Sequence, residues 1–205
     1  MLVPLSSFRF LTFTNTLSTS SITFSPRVSY PTSCADYNRN YCVDNKCVIT
    51  NRLYNPRQFF VACNNSVDGG GWIIIQRRIH GAVDFYRDWS EYKSGFGNIN
   101  GELFIGLVKL RALTVTLQPV ELLIQLQDFD NVLKYAKYDD FQVGNEAVHF
   151  KLIKLGAYTG NAGDSFSSHV GSYFTTKDRD NDANVKDNCA VLSTGAWWYN
   201  CCYNS

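Results

Sequence analysis

The stretch TKDRDNDANVKDNC, residues 176–189, carries four aspartates within ten positions, in a chain whose acidic and basic residues nearly cancel. Asp178, Asp180 and Asp182 alternate, so an extended or turning backbone brings their carboxylates toward one point. Like charges held that close repel unless a cation sits between them, and a hard cation with oxygen ligands, calcium above all, suits such a set. The spacing is not that of an EF-hand loop. Counting from Asp178, the glycine position holds Ala183 and the closing glutamate position holds Cys189. The other reading of the stretch is a solvated turn, because Asp and Asn favour turns through side-chain to backbone bonding.

Other chemistry is sparse. His80, His149 and His169 are scattered, and the seven cysteines, at 34, 42, 47, 63, 189, 201 and 202, form no C-x-x-C pair or zinc-like spacing with them. No nucleophile elbow, phosphate-binding glycine loop or H-E-x-x-H is present, so the sequence is not that of an enzyme. Cysteines in this number without metal spacing point to disulfides and an oxidising, extracellular address. Asn64-Asn65-Ser66 adds a glycosylation acceptor at Asn64 that fits that address.

The elements that must position these residues are legible in part. At 205 residues the chain suits one domain plus a tail. A net charge of +1 gives no electrostatic reason to expect nucleic acid or an acidic membrane surface as partner. No apolar run approaches the length of a membrane span. The first 33 residues include fourteen Ser or Thr, and no acidic residue precedes Asp36. Residues 1–32 therefore read as a tail or a targeting segment, with features of neither a clean secretory signal nor a clean transit peptide.

FFVAC and GWIIIQRR read as strands around the turn NNSVDGGG, where three glycines permit left-handed backbone. DWSEYKSGF has Trp89, Tyr92 and Phe96 at helical spacing, and GELFIGLVKLRALT repeats that pattern through Leu103, Leu107 and Leu110. VELLIQLQDF alternates with Leu122, Ile124 and Leu126 on one face, and HFKLIKLGAY reads as a further strand. Beyond Asp164 regular patterns stop. Strands with short helices between them, without strict alternation, predict an α+β fold on an antiparallel sheet.

Longer strings carry a family resemblance. DGGGWIIIQRRIHGAVDFYRDWSEYKSGFGNINGELFIGL, YAKYDDFQVG, LGAYTGNAGDSF, DRDND and NCAVLSTGAWWYNCC resemble the fibrinogen C-terminal globular domain, the family of fibrinogen, ficolins, tachylectins, angiopoietins and tenascins, across residues 33–205. The resemblance implies a central antiparallel sheet, short helices and a loop-rich calcium region framed by a disulfide. It implies bridges Cys34–Cys63 and Cys189–Cys202. Cys42 and Cys47 are then left to pair locally, and Cys201 remains as a free thiol or a link to another copy, the route to a disulfide-linked dimer.

In relatives of this kind the aspartate loop holds calcium through two carboxylates and two carbonyls, which implies Asp180 and Asp182 as side-chain ligands and Asn184 and Lys186 as carbonyl ligands. Lectin-like relatives grip an acetyl group beside the second bridge. Tyr203 stands here where they have a histidine, and Ser193 where they have an aromatic ring, which implies a weakened pocket. Trp197, Trp198 and Tyr199 are expected to pack inward. The family's closing segment, which returns a strand to the central sheet, has no counterpart before Ser205, so the domain reads as incomplete at that end, with an exposed sheet edge. The resemblance implies a secreted recognition protein that binds acetylated carbohydrate, with a structural calcium ion. The alternative is an extracellular adhesion or receptor-ligand module that binds a protein partner.

Overall fold

A computed structural model of the protein describes residues 9–11, 30–36, 40–117 and 119–202. Within these, β1 (Arg9–Leu11) is followed by a 3-10 turn at Cys34–Asp36 and by β2 (Cys42–Val43), β3 (Lys46–Thr50), β4 (Gln58–Asn64), β5 (Trp72–Ile74) and β6 (Gln76–Arg77). Next come α1 (Trp89–Ser94), β7 (Phe96–Gly97), β8 (Leu103–Phe104) and α2 (Leu107–Thr116). The succession ends with β9 (Leu122–Gln127), β10 (Leu133–Tyr138), β11 (Phe141–Val143), β12 (Leu152–Leu155), β13 (Tyr158–Gly160) and α3 (Cys189–Leu192).

The strands form a seven-stranded sheet in the order β13-β10-β9-β1-β6-β8-β7, a four-stranded sheet β2-β3-β4-β5 and the pair β11-β12, and every pairing is antiparallel. GWIIIQRR does not make one strand. It leaves the small sheet at Ile74 and enters the large one at Gln76, so this segment ties the two sheets together. The turn before it uses Gly69, Gly70 and Gly71 at φ of 79° to 83°, where a Cβ on Gly70 would stand 2.9 Å from the Asn65 carbonyl oxygen.

The stretch read as a tail contributes β1. Arg9 lies opposite Arg77 on β6 and opposite Gln125 on β9, with Phe10 opposite Ile124 and Leu11 opposite Leu123. Extended backbone enters a sheet through main-chain bonds alone, so composition rich in Ser and Thr does not forbid it. The edges of the large sheet, among the described residues, are β13 and β7.

The helical spacing of GELFIGLVKLRALT overreaches at its start. Leu103 belongs to β8, and α2 begins only after Gly106, whose φ of 102° and close approach to the Ser94 carbonyl exclude a side chain. HFKLIKLGAY also divides, into β12 and β13 of different sheets. A Cβ on Gly156, at the division, would collide with Asp139 and Asp140. On β9 four successive residues, Leu122 to Gln125, are buried, not an alternating set, because both faces of this strand are covered. The core joins both sheets, with Leu107, Leu110 and Leu113 of α2 packed into it.

Three disulfides close: Cys34–Cys63, Cys42–Cys47 and Cys189–Cys202, while Cys201 is a free, exposed thiol.

Candidate ligand-binding site

The aspartate loop is built from its hydrogen bonds outward. Thr175 pairs with Trp197 through main-chain bonds in both directions, which pins the start of the loop to the segment after α3. Asp178 is held by hydrogen bonds. Its Oδ1 accepts from the Trp89 main-chain N–H at 2.8 Å and from the Thr176 hydroxyl at 2.7 Å, so it fastens the first turn of α1 to the loop. Arg179 lies over the Trp89 ring at 4.3 Å, and the indole N–H donates to Glu146 at 3.0 Å. Asn181 donates to the Phe174 carbonyl, and Asn188 donates to that of Thr176 while its Oδ1 caps α3 by accepting from Ala190 and Val191.

Asp182 accepts from the Asn184 N–H at 2.8 Å and from the Cys189 N–H at 2.9 Å, so it spans the loop to the bridged cysteine. Asp180 lies beside it, exposed, and the bond described for its carboxylate is a long one of 3.4 Å from the Asp182 N–H. Burial raises the Asp182 carboxyl, the two N–H donors pull against that, and the Asp180 charge adds to the rise, leaving Asp182 above its ordinary value. Asn184 turns its amide toward Cys202 Sγ at 3.2 Å, and its Oδ1 accepts from the N–H of the exposed Lys186. Of the four residues expected at a calcium ion, then, the loop brings two carboxylates together, with Asn184 and Lys186 on the turn that follows. Among the described residues no three His, Cys, Asp or Glu side chains converge on one point.

Immediately beyond the bridge lies a cavity of about 610 Å³ between the large sheet and the loops at 81–86, 162–166 and 193–199. Ser193, at the end of α3, is exposed on its rim, beside Thr194 and Gly195. The expected inward packing of the three aromatics holds for Trp198, which is 3% exposed, whereas Trp197 is only half-buried and lines the cavity. Tyr199 is buried and also forms cavity wall. Its hydroxyl donates to the Gly195 carbonyl at 2.9 Å, and burial pushes the phenol up. Tyr203 lies outside the described residues. Asn64 is at the end of β4, half-buried, and its Oδ1 accepts from the Ser66 N–H and hydroxyl.

The opposite wall was not legible in the sequence. It comes from Val83, Phe85 and Ile124, remote segments that only the tertiary fold unites, with Arg78 at the base. Arg78 is buried, its guanidinium stacked over Phe85 at 3.8 Å and its Nε 3.6 Å from Glu102. Glu102 in turn accepts main-chain N–H bonds from Ile79, His80, Gly81 and Val83. Burial alone would raise this acid, yet the four donors hold it down to about 2. The arrangement can enclose an apolar group, with hydroxyls at the rim and a cation at the base. The cavity lining described contains no histidine or cysteine to act as base or nucleophile.

Comparison with known proteins follows the same lines. The family model described as fibrinogen beta and gamma chains, C-terminal globular domain, matches residues 30–205. Human angiopoietin-related protein 7 is 47% identical over 146 residues, covering 71% of this chain and 41% of that protein. Fibrinogen C domain-containing protein 1 of Macaca fascicularis is 45% identical over 154 residues, covering 73% of this chain and 35% of that protein. The chain thus spans about two fifths or less of the length of these curated relatives. Among solved structures, the fibrinogen-like globe domain of human ANGPTL2 superposes with a TM-score of 0.77 at 39% identity, covering 83% of this chain and 77% of that one. A lamprey fibrin D-dimer complexed with the peptide Gly-His-Arg-Pro-amide superposes with a TM-score of 0.69 at 28% identity, covering 85% and 62%.

Proposed function

The protein belongs to the fibrinogen C-terminal globular domain family, and on that premise we propose that it is an extracellular recognition domain that binds a protein partner through the face formed by the Cys189–Cys202 loop and the cavity beside it. The observation that carries this reading is the coupling of the two: Asp182 holds the Cys189 N–H, the bridge fixes α3, and α3 places Ser193 and the following residues on the cavity rim. An apolar hollow with a few convergent polar groups is what a ligand site requires. Three disulfides support an oxidising address, and among the described residues no helix is long and apolar enough to cross a membrane. The relatives matched are angiopoietin-related and fibrinogen-domain proteins, and one solved neighbour is complexed with a peptide.

Calcium is part of the proposal. Asp180 and Asp182 offer hard oxygen donors, and a cation would offset both the burial and the Asp180 charge that raise the proton affinity of Asp182. Asn184 and Lys186 would add carbonyl oxygens. The ion would supply charge neutralisation and hold the loop in one shape, with no part in bond making.

Acetylated carbohydrate is the second reading, favoured by the Trp197 and Tyr199 walls next to Ser193. Ser193 has no ring to cover a methyl group, so that binding is expected to be weak. Labelled protein added to cells separates the readings. Binding that is lost when the cells are first treated with trypsin, resists excess N-acetylglucosamine and falls in Ser193→Trp supports the protein partner. Binding that N-acetylglucosamine abolishes establishes the carbohydrate reading instead.

A further inference from the structure

Asn64-Asn65-Ser66 is the one N-x-Ser/Thr triplet in the chain, and it takes no part in the cavity at the Cys189–Cys202 loop. Strand β4 ends at Asn64, and Asn65 and Ser66 lie exposed in the turn that follows. Asn64 Oδ1 accepts from the Ser66 N–H at 3.0 Å and from its hydroxyl at 2.8 Å, which fixes the plane of the amide. Nδ2 then stands on the other side of that amide, and among the described residues it donates to no partner. Beside it runs a groove of about 500 Å³, within the range of roughly 300 to 1,000 Å³ of small-molecule sites. The groove shares no lining residue with the cavity. Its floor is the small sheet: Lys46 lies opposite Ala62 and Ala62 opposite Ile74, and Asn64, two residues beyond Ala62, falls on the same face. Ile79, just after β6, and Ile99 and Asn100, between β7 and β8, complete the lining. Ile79 is 50% exposed, an apolar wall left open to water.

We propose that Asn64 carries an N-linked glycan and that this groove seats its first N-acetylglucosamine. Such a sugar presents hydroxyls at its edges, an apolar C–H face and an acetyl methyl. The groove matches that mixture, with Ile79 and Ile99 for the methyl and Lys46 and Asn100 for the hydroxyls. The co-reactant is an oligosaccharide joined to a lipid through pyrophosphate. Asn64 Nδ2 attacks the anomeric carbon, the new C–N bond forms as the C–O bond to pyrophosphate breaks, and Nδ2 gives up one proton while the lipid pyrophosphate leaves. Nothing is oxidised or reduced. Oδ1 keeps both bonds to Ser66, so the turn that presents the amide also holds the attached sugar over the groove. The three disulfides fit the oxidising route along which such acceptors are modified. Once seated, the sugar takes the exposed face of Ile79 out of water.

The test uses the full-length protein secreted from cells that make N-glycans. Mass spectrometry of the peptide containing Asn64 is expected to show N-acetylhexosamine in the parent protein and none in Ser66→Ala. Trimmed to a single sugar, the parent is expected to give a nuclear Overhauser contact between the acetyl methyl and a methyl group of Ile79 or Ile99. Peptide N-glycosidase must reach the bond between Asn64 and that sugar, so release from the folded parent waits on local opening. It is expected to be about tenfold slower than release from Ile79→Ser, which removes the apolar wall. Should Ile79→Ser fail to fold, the acetyl contact in the parent decides alone. An unmodified Asn64 in the secreted parent, no acetyl contact, or equal release from folded parent and Ile79→Ser each overturns the proposal.

Discussion

Two carboxylates, one tied to the loop at 79–83 and the other to the Cys189–Cys202 loop, behave oppositely. Glu102 is 1% exposed and is held near 2 by four main-chain N–H donors, whereas Asp182, less buried and with two donors, is pushed above its ordinary value with Asp180 at its side. An acid whose proton affinity has fallen has all the positive partners it needs, and its role is to fold the loop at 79–83 against β8. The affinity of Asp182 has risen first through burial and then through the Asp180 charge beside it, an effect that a bound cation would offset. Residue type says little about such a difference; the hydrogen-bond partners separate the two.

The largest effect should come from the satisfied site. Glu102→Ala strands four N–H groups and leaves Arg78 buried without its acid, so a loss of roughly 3 to 5 kcal/mol in urea unfolding is expected. A loss no greater than that of a partly exposed glutamate such as Glu91 would break the comparison. The pH dependence follows in sign. Because the folded value of Glu102 is depressed, its contribution is fully present above 4.5 and is lost as pH falls toward about 2. Asp182 runs the other way: its ionised form weighs against the fold above its raised folded value, and protonation relieves it. Acidification in chelator should therefore ease the aspartate loop before it removes the support of Glu102, and stability measured against pH in Glu102→Gln should lose the acid-side decline assigned to that residue.

Asp178 sharpens the contrast inside the loop itself, since it is an acid with satisfied partners and is held below its ordinary value. Asp178→Ala should cost about 1 to 2 kcal/mol through the loss of its bond to the first turn of α1, with or without calcium. The smallest change in chelator belongs to Asp180→Asn, which relieves repulsion and should leave the melting temperature the same or slightly higher. The parent protein should gain stability with a midpoint at about 10⁻⁴ to 10⁻³ M calcium, and Asp180→Asn should not. Thermal melts of both proteins across a calcium series check this.

Legibility in the sequence followed how local each feature is. The first helix was readable in part: Trp89 and Tyr92 face inward at helical spacing, but Phe96, counted with them, lies beyond Gly95 in β7. The aspartate loop was readable as a cluster of acids, but Asp178 could not be told from Asp180 by type or spacing; only the distant Trp89 N–H distinguishes them. The helix α3 was missed although Asn188 before it is a standard cap, because four residues are too few to show a period. The cavity, and β1 in the sheet, depend on segments tens of residues apart and leave no local signature.

The most direct measurement is a carbon-13 NMR titration of the carboxyl groups of Asp182 and Glu102 in one sample, first in chelator and then with saturating calcium. The account predicts that Glu102 titrates near 2 in both, while Asp182 titrates above 3.8 in chelator and falls when calcium is added. Asp182 titrating at or below 3.8 in chelator, or failing to move with calcium, would contradict the account.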